Sequence, residues 1–254
     1  MCGHCGCGET AASKSESHHD HGHDHEHGER RVIELERSIL ERNARLAERL
    51  RGMFWGKGVV AINMVSSPGS GKTALLEATL TGDGLRGLRP AVIVGDLATD
   101  NDAARIQKTG APAVQVTTGD VCHLDAHMLL HTLKSQENPQ GLDLGELDLV
   151  FIENVGNLVC PAAFDLGEDM RVVLTSVCEG EDKPLKYPTI FHDVALVVIT
   201  KTDLSEAVGV DLGALRANIH EVAPGAKILE VSARTGAGME TWFAFLEAAL
   251  AAKV

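Results

Sequence analysis

A glycine-rich loop at residues 66–73, Ser-Ser-Pro-Gly-Ser-Gly-Lys-Thr, limits the fold of this chain more than any other feature. It follows an apolar run at residues 59–65 and precedes a helix-like stretch at residues 74–78. In this strand–loop–helix context, backbone N–H groups at the start of the helix can bind phosphate. The alternative is a flexible turn between a strand and a helix. The residues expected to contact a nucleotide are Pro68, Gly69, Ser70, Gly71, Lys72 and Thr73.

The last residues of this loop carry the chemistry of a nucleotide site. Lys72 is placed to reach the β- and γ-phosphates, and the Thr73 hydroxyl is placed to hold Mg²⁺. The loop departs from the strict pattern at its first position, where Ser66 replaces glycine. Because the last four residues are intact, the loop still predicts nucleotide binding.

Seven apolar segments alternate with helical patterns between residue 56 and residue 254. This spacing is typical of βαβ units, so we predict an α/β fold of the P-loop NTPase type. Its mostly parallel sheet is flanked by helices on both faces, and ligands bind at the carboxyl ends of the strands. The predicted strands are residues 59–65, 91–95, 113–117, 148–153, 171–177, 194–199 and 227–231.

The N-terminal part of the chain has a different composition. Residues 1–28 are rich in Cys, Gly and His and have almost no large apolar residues, which predicts a disordered metal-binding tail. Residues 29–55 carry apolar residues mostly at three- or four-residue steps, which predicts an amphipathic helix. We expect this helix to pack on the main domain, residues 56–254. The alternative is an arm that also contacts a partner subunit.

Composition excludes several classes of function. The net charge of −13 argues against nonspecific binding to nucleic acid, because little would neutralise the phosphates. No apolar run is long enough for a membrane span, and the N-terminus lacks the apolar core of a signal peptide, so we expect a cytoplasmic protein. In that compartment the six cysteines favour metal ligation or free thiols over disulfides.

Two predicted strands end in an acidic residue. Asp96 follows residues 91–95, and Glu153 follows residues 148–152 and precedes Gly156 in Glu-Asn-Val-Gly. Such an acid can bind Mg²⁺, directly or through water, or orient the attacking water. We assign the water to Asp96 and the magnesium to Glu153, although the two roles can be exchanged. A lone acid after a strand is usually a cap or turn residue, but two beside a phosphate loop favour a site.

A second motif indicates the base. Residues 200–203, Thr-Lys-Thr-Asp, follow an apolar strand, and Asp203 can accept hydrogen bonds from guanine N1 and its exocyclic amine. Adenine cannot supply that pair of donors. The stem of Lys201 can cover the base plane. The usual motif begins with Asn, where this chain has Thr200. After the next strand, Ser232, Ala233 and Arg234 occupy the place of a guanine-contacting loop. We therefore predict GTP rather than ATP.

The extreme N-terminus carries three thiols, Cys2, Cys5 and Cys7, separated by small residues. Thiols at this spacing can wrap one metal ion, with the free amine of Cys2 or the imidazole of His4 as a fourth ligand. A square-planar set suits Ni(II), whereas a tetrahedral set suits Zn(II). The alternative is a reduced, disordered terminus.

A histidine-rich tract follows at residues 18–27. Imidazoles interleaved with acids bind several divalent ions, so we predict nickel storage rather than a selective site. The interspersed acids and the internal position make a purification tag a poor alternative. The predicted ligands are His18, His19, His21, His23, His25 and His27.

A third metal-binding group lies inside the main domain. Cys122 and His123 open a predicted helix after residues 113–117, and Cys160 follows the strand that ends at Glu153. Three protein ligands would leave one position open on nickel or zinc. His127, four residues after His123, is a possible helper. The alternative for such cysteines is core packing, which is our prediction for Cys178, with an accessory metal ligand as its other role.

Taken together, these motifs resemble those of HypB, the hydrogenase nickel-incorporation GTPase of the SIMIBI class of P-loop NTPases. The resemblance covers residues 30–254, and the Cys/His tail is similar to HypB variants that also store nickel. The motifs are the phosphate loop, Gly95-Asp96 with residues 101–106, Cys122-His123-Leu124-Asp125, residues 153–161 and residues 200–203.

The resemblance implies a GTPase that dimerises around nucleotide and delivers nickel for [NiFe]-hydrogenase maturation. It implies a tight nickel site at Cys2, Cys5 and Cys7. A weaker nickel or zinc site at Cys122, His123 and Cys160 would lie at the dimer interface. HypA, a small zinc-containing partner, would pass nickel onward to the hydrogenase large subunit. Two alternatives remain: a related nickel GTPase that serves urease, and a nickel store in which the nucleotide domain is only a scaffold.

Overall fold

The computed structural model describes residues 23–97, 101–119 and 121–253, with side chains from residue 37 onward. The chain divides into two compact units, Met1–Ile39 and Leu40–Val254. The predicted thiol ligands Cys2, Cys5 and Cys7, and the imidazoles of His18, His19 and His21, lie outside the described residues. His23, His25 and His27 fall within a helix whose side chains are not described at those positions.

Within the described residues of the second unit, seven strands form one parallel sheet in the order β3-β2-β4-β1-β5-β6-β7. The predicted α/β class and all seven predicted strand positions are confirmed, with ends that shift by one or two residues. The strands are β1 Val60–Ser66, β2 Pro90–Asp96, β3 Ala113–Thr117, β4 Leu149–Glu153, β5 Met170–Ser176, β6 Leu196–Thr200 and β7 Lys227–Glu230.

The central strands are apolar on both faces because helices cover both. On one face, Ile62 and Phe151 pack into a cluster with helices α2 and α9, where Trp242 is fully buried. On the other face, Ala61 and Val150 pack into a second cluster. The helices are α1 His23–Lys57, α2 Lys72–Thr81, α3 Asn101–Gln107, α4 Ala126–Thr132, α5 Lys183–Lys186, α6 Pro188–Phe191, α7 Ser205–Val208, α8 Leu212–Val222 and α9 Met239–Ala251.

The N-terminal helix is longer than the predicted residues 29–55. It begins at His23 and ends at Lys57, so the last six residues of the predicted disordered tail are helical. No proline interrupts this segment, and extending an existing helix costs far less than starting one. Within the second unit, Ala47, Leu50 and Phe54 of α1 are fully buried against the sheet, as expected for a helix that packs on the main domain.

The strand order determines where the site forms. Strand β1 lies in the middle of the sheet, between β4 and β5, and its carboxyl end leads directly into the phosphate loop. The ends of β2 and β4 place Asp96 and Glu153 at the same edge of the sheet. The loop, the two acids and the end of β6 therefore share one edge, where ligands of parallel sheets bind. No helix in the described ranges is long and apolar enough to cross a bilayer.

Candidate functional site

The phosphate loop has the backbone geometry of an anion site. Gly69 and Gly71 have φ angles of 73° and 96°, a region that residues with a Cβ rarely adopt. Gly71 is the N-cap of α2 and lacks a side chain that could cap the helix, so the first N–H groups of α2 remain available to a phosphate. Lys72 is the first residue of that helix.

Lys72 is held inside the site by the residue that departs from the usual motif. Its ammonium donates to the Ser66 hydroxyl at 2.9 Å, and only 7% of Lys72 is exposed. Burial lowers the pKa of Lys72, and the charge of Glu153 opposes that effect. The serine at the first position therefore gives the lysine a neutral partner when no phosphate is present.

Thr73 and Glu153 together form a ligand set for a hard cation. The Thr73 hydroxyl donates to Glu153 Oε1 at 2.7 Å, across 80 positions of the chain. Burial raises the pKa of Glu153 to about 7, although Lys72 and the Thr73 hydroxyl act to lower it. Its other oxygen, Oε2, is buried and has no hydrogen-bond partner among the described residues. An orphaned carboxylate oxygen beside a hydroxyl fits Mg²⁺, which prefers oxygen ligands.

These groups line a cavity of about 480 Å³ at the carboxyl edge of the sheet. Asp96 lies on its wall, as does Gly156 after β4. A Cβ on Gly156 would lie 2.9 Å from Pro68 Cα, so glycine is needed for the two loops to approach. The cavity is also lined by Lys201 and by two residues of α3 that the sequence did not assign, Asp102 and Arg105.

The predicted base-recognition segment contacts the phosphate loop directly. The Thr200 hydroxyl donates to the Ser70 carbonyl at 2.6 Å, which explains how threonine can replace the usual asparagine. Lys201 has a φ of 58°, and its ammonium donates to the Gly69 carbonyl at 2.7 Å. The stem of Lys201 also lines a second, mostly apolar cavity of about 320 Å³ with Asp203 at its edge.

Asp203 is held by the loop that follows β7. The Ser232 hydroxyl donates to Asp203 Oδ1 at 2.5 Å, and Arg234 Nε donates to Oδ2 at 2.9 Å. These two contacts, that of Ser232 first, lower the pKa of Asp203 and keep it an ionised acceptor. Ala233 lines the same cavity. The predicted base residues are thus brought together.

The internal metal ligands also come together. The ligand atoms of Cys122, His123 and Cys160 all lie within 4.8 Å of one another. The His123 ring stacks on Phe164 with 3.8 Å between centroids, and His123 Nδ1 is buried with no partner in the described part of the chain. Burial lowers the pKa of His123, which favours the neutral imidazole that binds metals. Two thiols and a neutral imidazole suit nickel or zinc.

Three predictions about cysteines and histidines of the main domain are wrong. Cys122 and His123 do not open a helix; α4 begins only at Ala126, where the Asp125 carboxylate caps it by accepting from the Met128 N–H at 2.7 Å. His127 therefore does not share a helix face with His123, and its imidazole lies 3.2 Å from that of His131 instead. Cys178, predicted to pack in the core, is exposed because the turn after β5 carries it to the surface.

The metal ligands are tied to the loop that follows Glu153. The Leu124 N–H donates to Asn154 Oδ1 at 3.0 Å, and Asn157 Nδ2 donates to the Cys122 carbonyl at 3.4 Å. Both asparagines lie between Glu153 and Cys160. The loop of residues 154–159 therefore lines the nucleotide cavity and also contacts the segment that carries Cys122.

Sequence comparison agrees with this combination of sites. The model of the family described as "CobW/HypB/UreG, nucleotide-binding domain" matches residues 60–230. The chain belongs to the CobW/HypB/UreG family.

Several HypB proteins are close relatives within the CobW/HypB/UreG family. The hydrogenase maturation factor HypB of Azotobacter vinelandii is 50% identical over 85% of this chain and 69% of its own length. The crystal structure of HypB from Archaeoglobus fulgidus is 42% identical, with a TM-score of 0.75 over 83% of this chain and 99% of that one. The crystal structure of HypB from Helicobacter pylori in complex with nickel has a sequence that is 36% identical to this chain. The TM-score is 0.75, and the match covers 82% of this chain and 95% of that one.

Three polar residues at the nucleotide cavity or the phosphate loop were not assigned to the site from the sequence. Asp102 and Arg105 line the nucleotide cavity from α3, where Arg105 pairs with Glu77. Glu179 contacts the phosphate loop from beyond β5. Asp102 and Arg105 were visible only as part of a family motif. The local signal of Glu179 is a capping box with Ser176, which does not indicate its contacts with the phosphate loop more than a hundred positions earlier in the chain.

The raised pKa of Glu153 predicts pH-dependent magnesium binding. Above pH 7 the carboxylate is ionised and can ligate Mg²⁺; below pH 7 a proton competes. We expect the affinity for Mg²⁺ with GDP to fall roughly tenfold more between pH 8 and pH 6 in wild type than in Glu153→Gln. The variant controls for titration of the nucleotide itself, because its amide does not titrate. Equal pH dependence in both proteins would contradict the assignment.

Asp203 predicts base preference. In Asp203→Asn the carboxylate that would accept from guanine N1 and the amine is replaced by an amide with one acceptor and one donor group. We expect the affinity for GDP to fall roughly tenfold to a hundredfold. Binding of xanthosine diphosphate should be gained, because a C2 carbonyl replaces the guanine amine and accepts from the amide N–H of the asparagine. Fluorescence competition between the two nucleotides measures this. Retained preference for GDP would show that Asp203 does not read the base.

Proposed function

We propose that this protein is a GTP-hydrolysing nickel metallochaperone for [NiFe]-hydrogenase maturation, in which the nucleotide state controls metal affinity. The observation that carries the proposal is the loop between Glu153 and Cys160. It holds a residue of the nucleotide cavity at one end and a metal ligand at the other, and its asparagines bind the segment that carries Cys122. The nickel complex of a relative that is 36% identical supports nickel as the cargo.

The hydrolytic roles follow from the positions of four residues. Lys72 would neutralise the β- and γ-phosphates, and Thr73 with Glu153 would hold Mg²⁺, which supplies charge neutralisation across the phosphates. The hydrogen bond between Thr73 and Glu153 supports the magnesium role for Glu153. Asp96 would then position the attacking water from the neighbouring strand end. Lys201, Asp203, Ser232, Ala233 and Arg234 would select guanine.

The coupling between the sites would be a population shift. GTP and Mg²⁺ would order the loops after Asp96 and Glu153 and favour a homodimer in which the Cys122, His123 and Cys160 ligands lie near the partner subunit. Because linkage is reciprocal, nickel at these ligands must change the affinity for GTP by the same factor. The N-terminal thiols and histidines would capture nickel, and a HypA-type partner would take it toward the hydrogenase large subunit in the cytoplasm.

The test is a Ni(II) titration of the full chain with Cys2, Cys5 and Cys7 changed to alanine, followed by thiolate-to-nickel absorption, once with GDP and once with a non-hydrolysable GTP analogue, each with Mg²⁺. A nucleotide-dependent change in nickel affinity that disappears in Cys122→Ala is the expected result. Identical isotherms in both nucleotides would mean that the metal ligands are independent of the nucleotide site. In that case a nickel store with a scaffold domain would be the better description.

The urease-type alternative is tested by the recipient. The protein is mixed with nickel-free hydrogenase and urease subunits, and bound partners and nickel transfer are measured. The result separates nickel delivery to hydrogenase from nickel delivery to urease. We expect transfer to the hydrogenase large subunit, because the relatives at about 50% identity are named as hydrogenase maturation factors. Transfer to urease alone would contradict the proposal.

A further inference from the structure

A further acidic residue, Glu179, lies against the phosphate loop. Strand β5 ends at Ser176, and a short 3-10 turn, Val177–Glu179, follows it. The Glu179 carboxylate accepts from two of the four hydroxyls of the phosphate loop: the Ser70 hydroxyl donates to Oε1 at 2.8 Å, and the Ser67 hydroxyl donates to Oε2. Ser67, Ser70 and Glu179 are not among the residues that line the nucleotide cavity, so Glu179 contacts the loop rather than the cavity.

The carboxylate is itself fixed from the opposite side. The Ser176 N–H donates to Oε1 at 2.9 Å, within a reciprocal capping box in which the Ser176 hydroxyl accepts from the backbone of the turn. The Lys183 ammonium lies 3.2 Å from Oε2. Only 15% of the Glu179 side chain is exposed. Each carboxylate oxygen therefore contacts one serine of the loop and one group of the β5–α5 connection.

The negative charge of Glu179 weakens phosphate binding by the loop, because it repels the negatively charged phosphates. Lys183 offsets part of that charge. What the carboxylate provides is two strong acceptors at a fixed spacing, and hydrogen bonds to a charged acceptor are roughly twice as strong as neutral ones. Ser70 has one hydroxyl hydrogen and three acceptors in reach: Glu179, the Ser67 carbonyl at 2.9 Å and the Ser67 hydroxyl at 3.3 Å. The charged carboxylate is the best acceptor of the three.

We propose that Glu179 is a positioning residue for nucleotide binding, which holds Ser67 and Ser70 so that the N–H groups of residues 69–73 converge on the phosphates. This proposal rests on the proposed nucleotide function and adds a residue to it. Because Glu179 acts on a loop that binds phosphate in the ground state and in the transition state alike, it affects binding more than turnover.

The test compares Glu179→Gln, Ser70→Ala and the double variant in the full chain. The glutamine has the same shape, but one of its two acceptors becomes a donor that faces the donors Ser67 and Lys183. We expect each single variant to weaken GDP binding roughly tenfold to a hundredfold. We expect KM for GTP to rise by a similar factor with kcat within about threefold. The double variant should lose little more than the worse single one, because both remove the same contact.

A purely structural role would give a different pattern. It would lower the unfolding temperature but leave the GDP affinity of the folded variants close to that of wild type. Additive losses, or wild-type affinity in Glu179→Gln, would overturn the positioning role. The matched control is Asp182→Asn, an exposed acid of the same connection that pairs with Lys186 and should leave GDP affinity unchanged. Weakened GDP binding in that control would also overturn the assignment.

Two further results separate this proposal from the one it rests on. If wild type binds no guanine nucleotide, the proposed function fails and the positioning role fails with it. If wild type binds GDP and Glu179→Gln is unaffected, only the positioning role fails. If Glu179→Gln does not fold, a second double variant, which combines Ser67→Ala with Ser70→Ala, removes the same contacts from the side of the phosphate loop. Its GDP affinity should fall to the same extent, and an unchanged affinity would overturn the proposal.

Discussion

Lys72→Ala is expected to lower kcat for GTP hydrolysis by about a hundredfold to a thousandfold, the range found when a preorganised donor to developing charge is removed. Lys72 is almost fully buried and contacts the Ser66 hydroxyl, so water cannot easily replace its charge at the phosphates. Affinity for GTP should fall as well. Phosphate release under saturating GTP and Mg²⁺, followed at several enzyme concentrations, gives kcat for the variant and for wild type.

The matched control for Lys72→Ala is Lys186→Ala. Lys186 is an exposed lysine paired with Asp182 outside the nucleotide cavity, so its loss should leave hydrolysis within about twofold, as for most surface substitutions. Lys72→Ala should also keep the nucleotide-free nickel affinity of the internal site, which would show that the domain has folded. Wild-type turnover in Lys72→Ala would mean that another cation neutralises the phosphates.

The strands were predictable because burial on both faces leaves a simple signature. Strands β1, β4 and β6 are uniformly buried, and each appears in the sequence as a mostly apolar run, interrupted in β1 by Asn63. Their order was not predictable. Strand β4 lies between β2 and β1 although it follows both in sequence, and such crossovers depend on packing that no local pattern records.

Site residues could be predicted from the sequence where they belong to a short local motif. They could not be predicted where their role depends on a contact with a distant part of the chain. Residues 66–73 and 200–203 were assigned from local patterns, and the structure places them side by side. Glu179 meets Ser67 across 112 positions of the chain, so no local pattern could pair them. The wrong start of α4 could have been avoided from the sequence alone. Asp125 is a good N-cap residue, and assigning it that role would have placed Cys122 in the preceding loop.

The second large effect is expected at the internal metal ligands. Cys122→Ala or Cys160→Ala leaves two protein ligands where three had lain within 4.8 Å. Structural zinc sites with four ligands bind with about 10–16 kcal/mol, so one thiolate corresponds to roughly a hundredfold or more in affinity. We therefore expect Ni(II) or Zn(II) affinity at this site to fall by at least that factor in either variant.

The N-terminal ligands would hide this loss in a simple titration, so the measurement must report only the internal thiols. The chain has six cysteines. In a background with Cys2, Cys5 and Cys7 changed to alanine, thiolate-to-nickel charge-transfer absorption can come only from the remaining three, and the histidine tract gives no such band. We expect Cys122→Ala and Cys160→Ala each to remove most of the absorption. Cys178→Ala is the matched control, because Cys178 is an exposed thiol outside the ligand cluster and should change nothing. Absorption that survives Cys122→Ala and vanishes in Cys178→Ala would show that nickel binds at Cys178 and not beside the loop that follows Glu153. Nucleotide control of the metal would then have no structural basis.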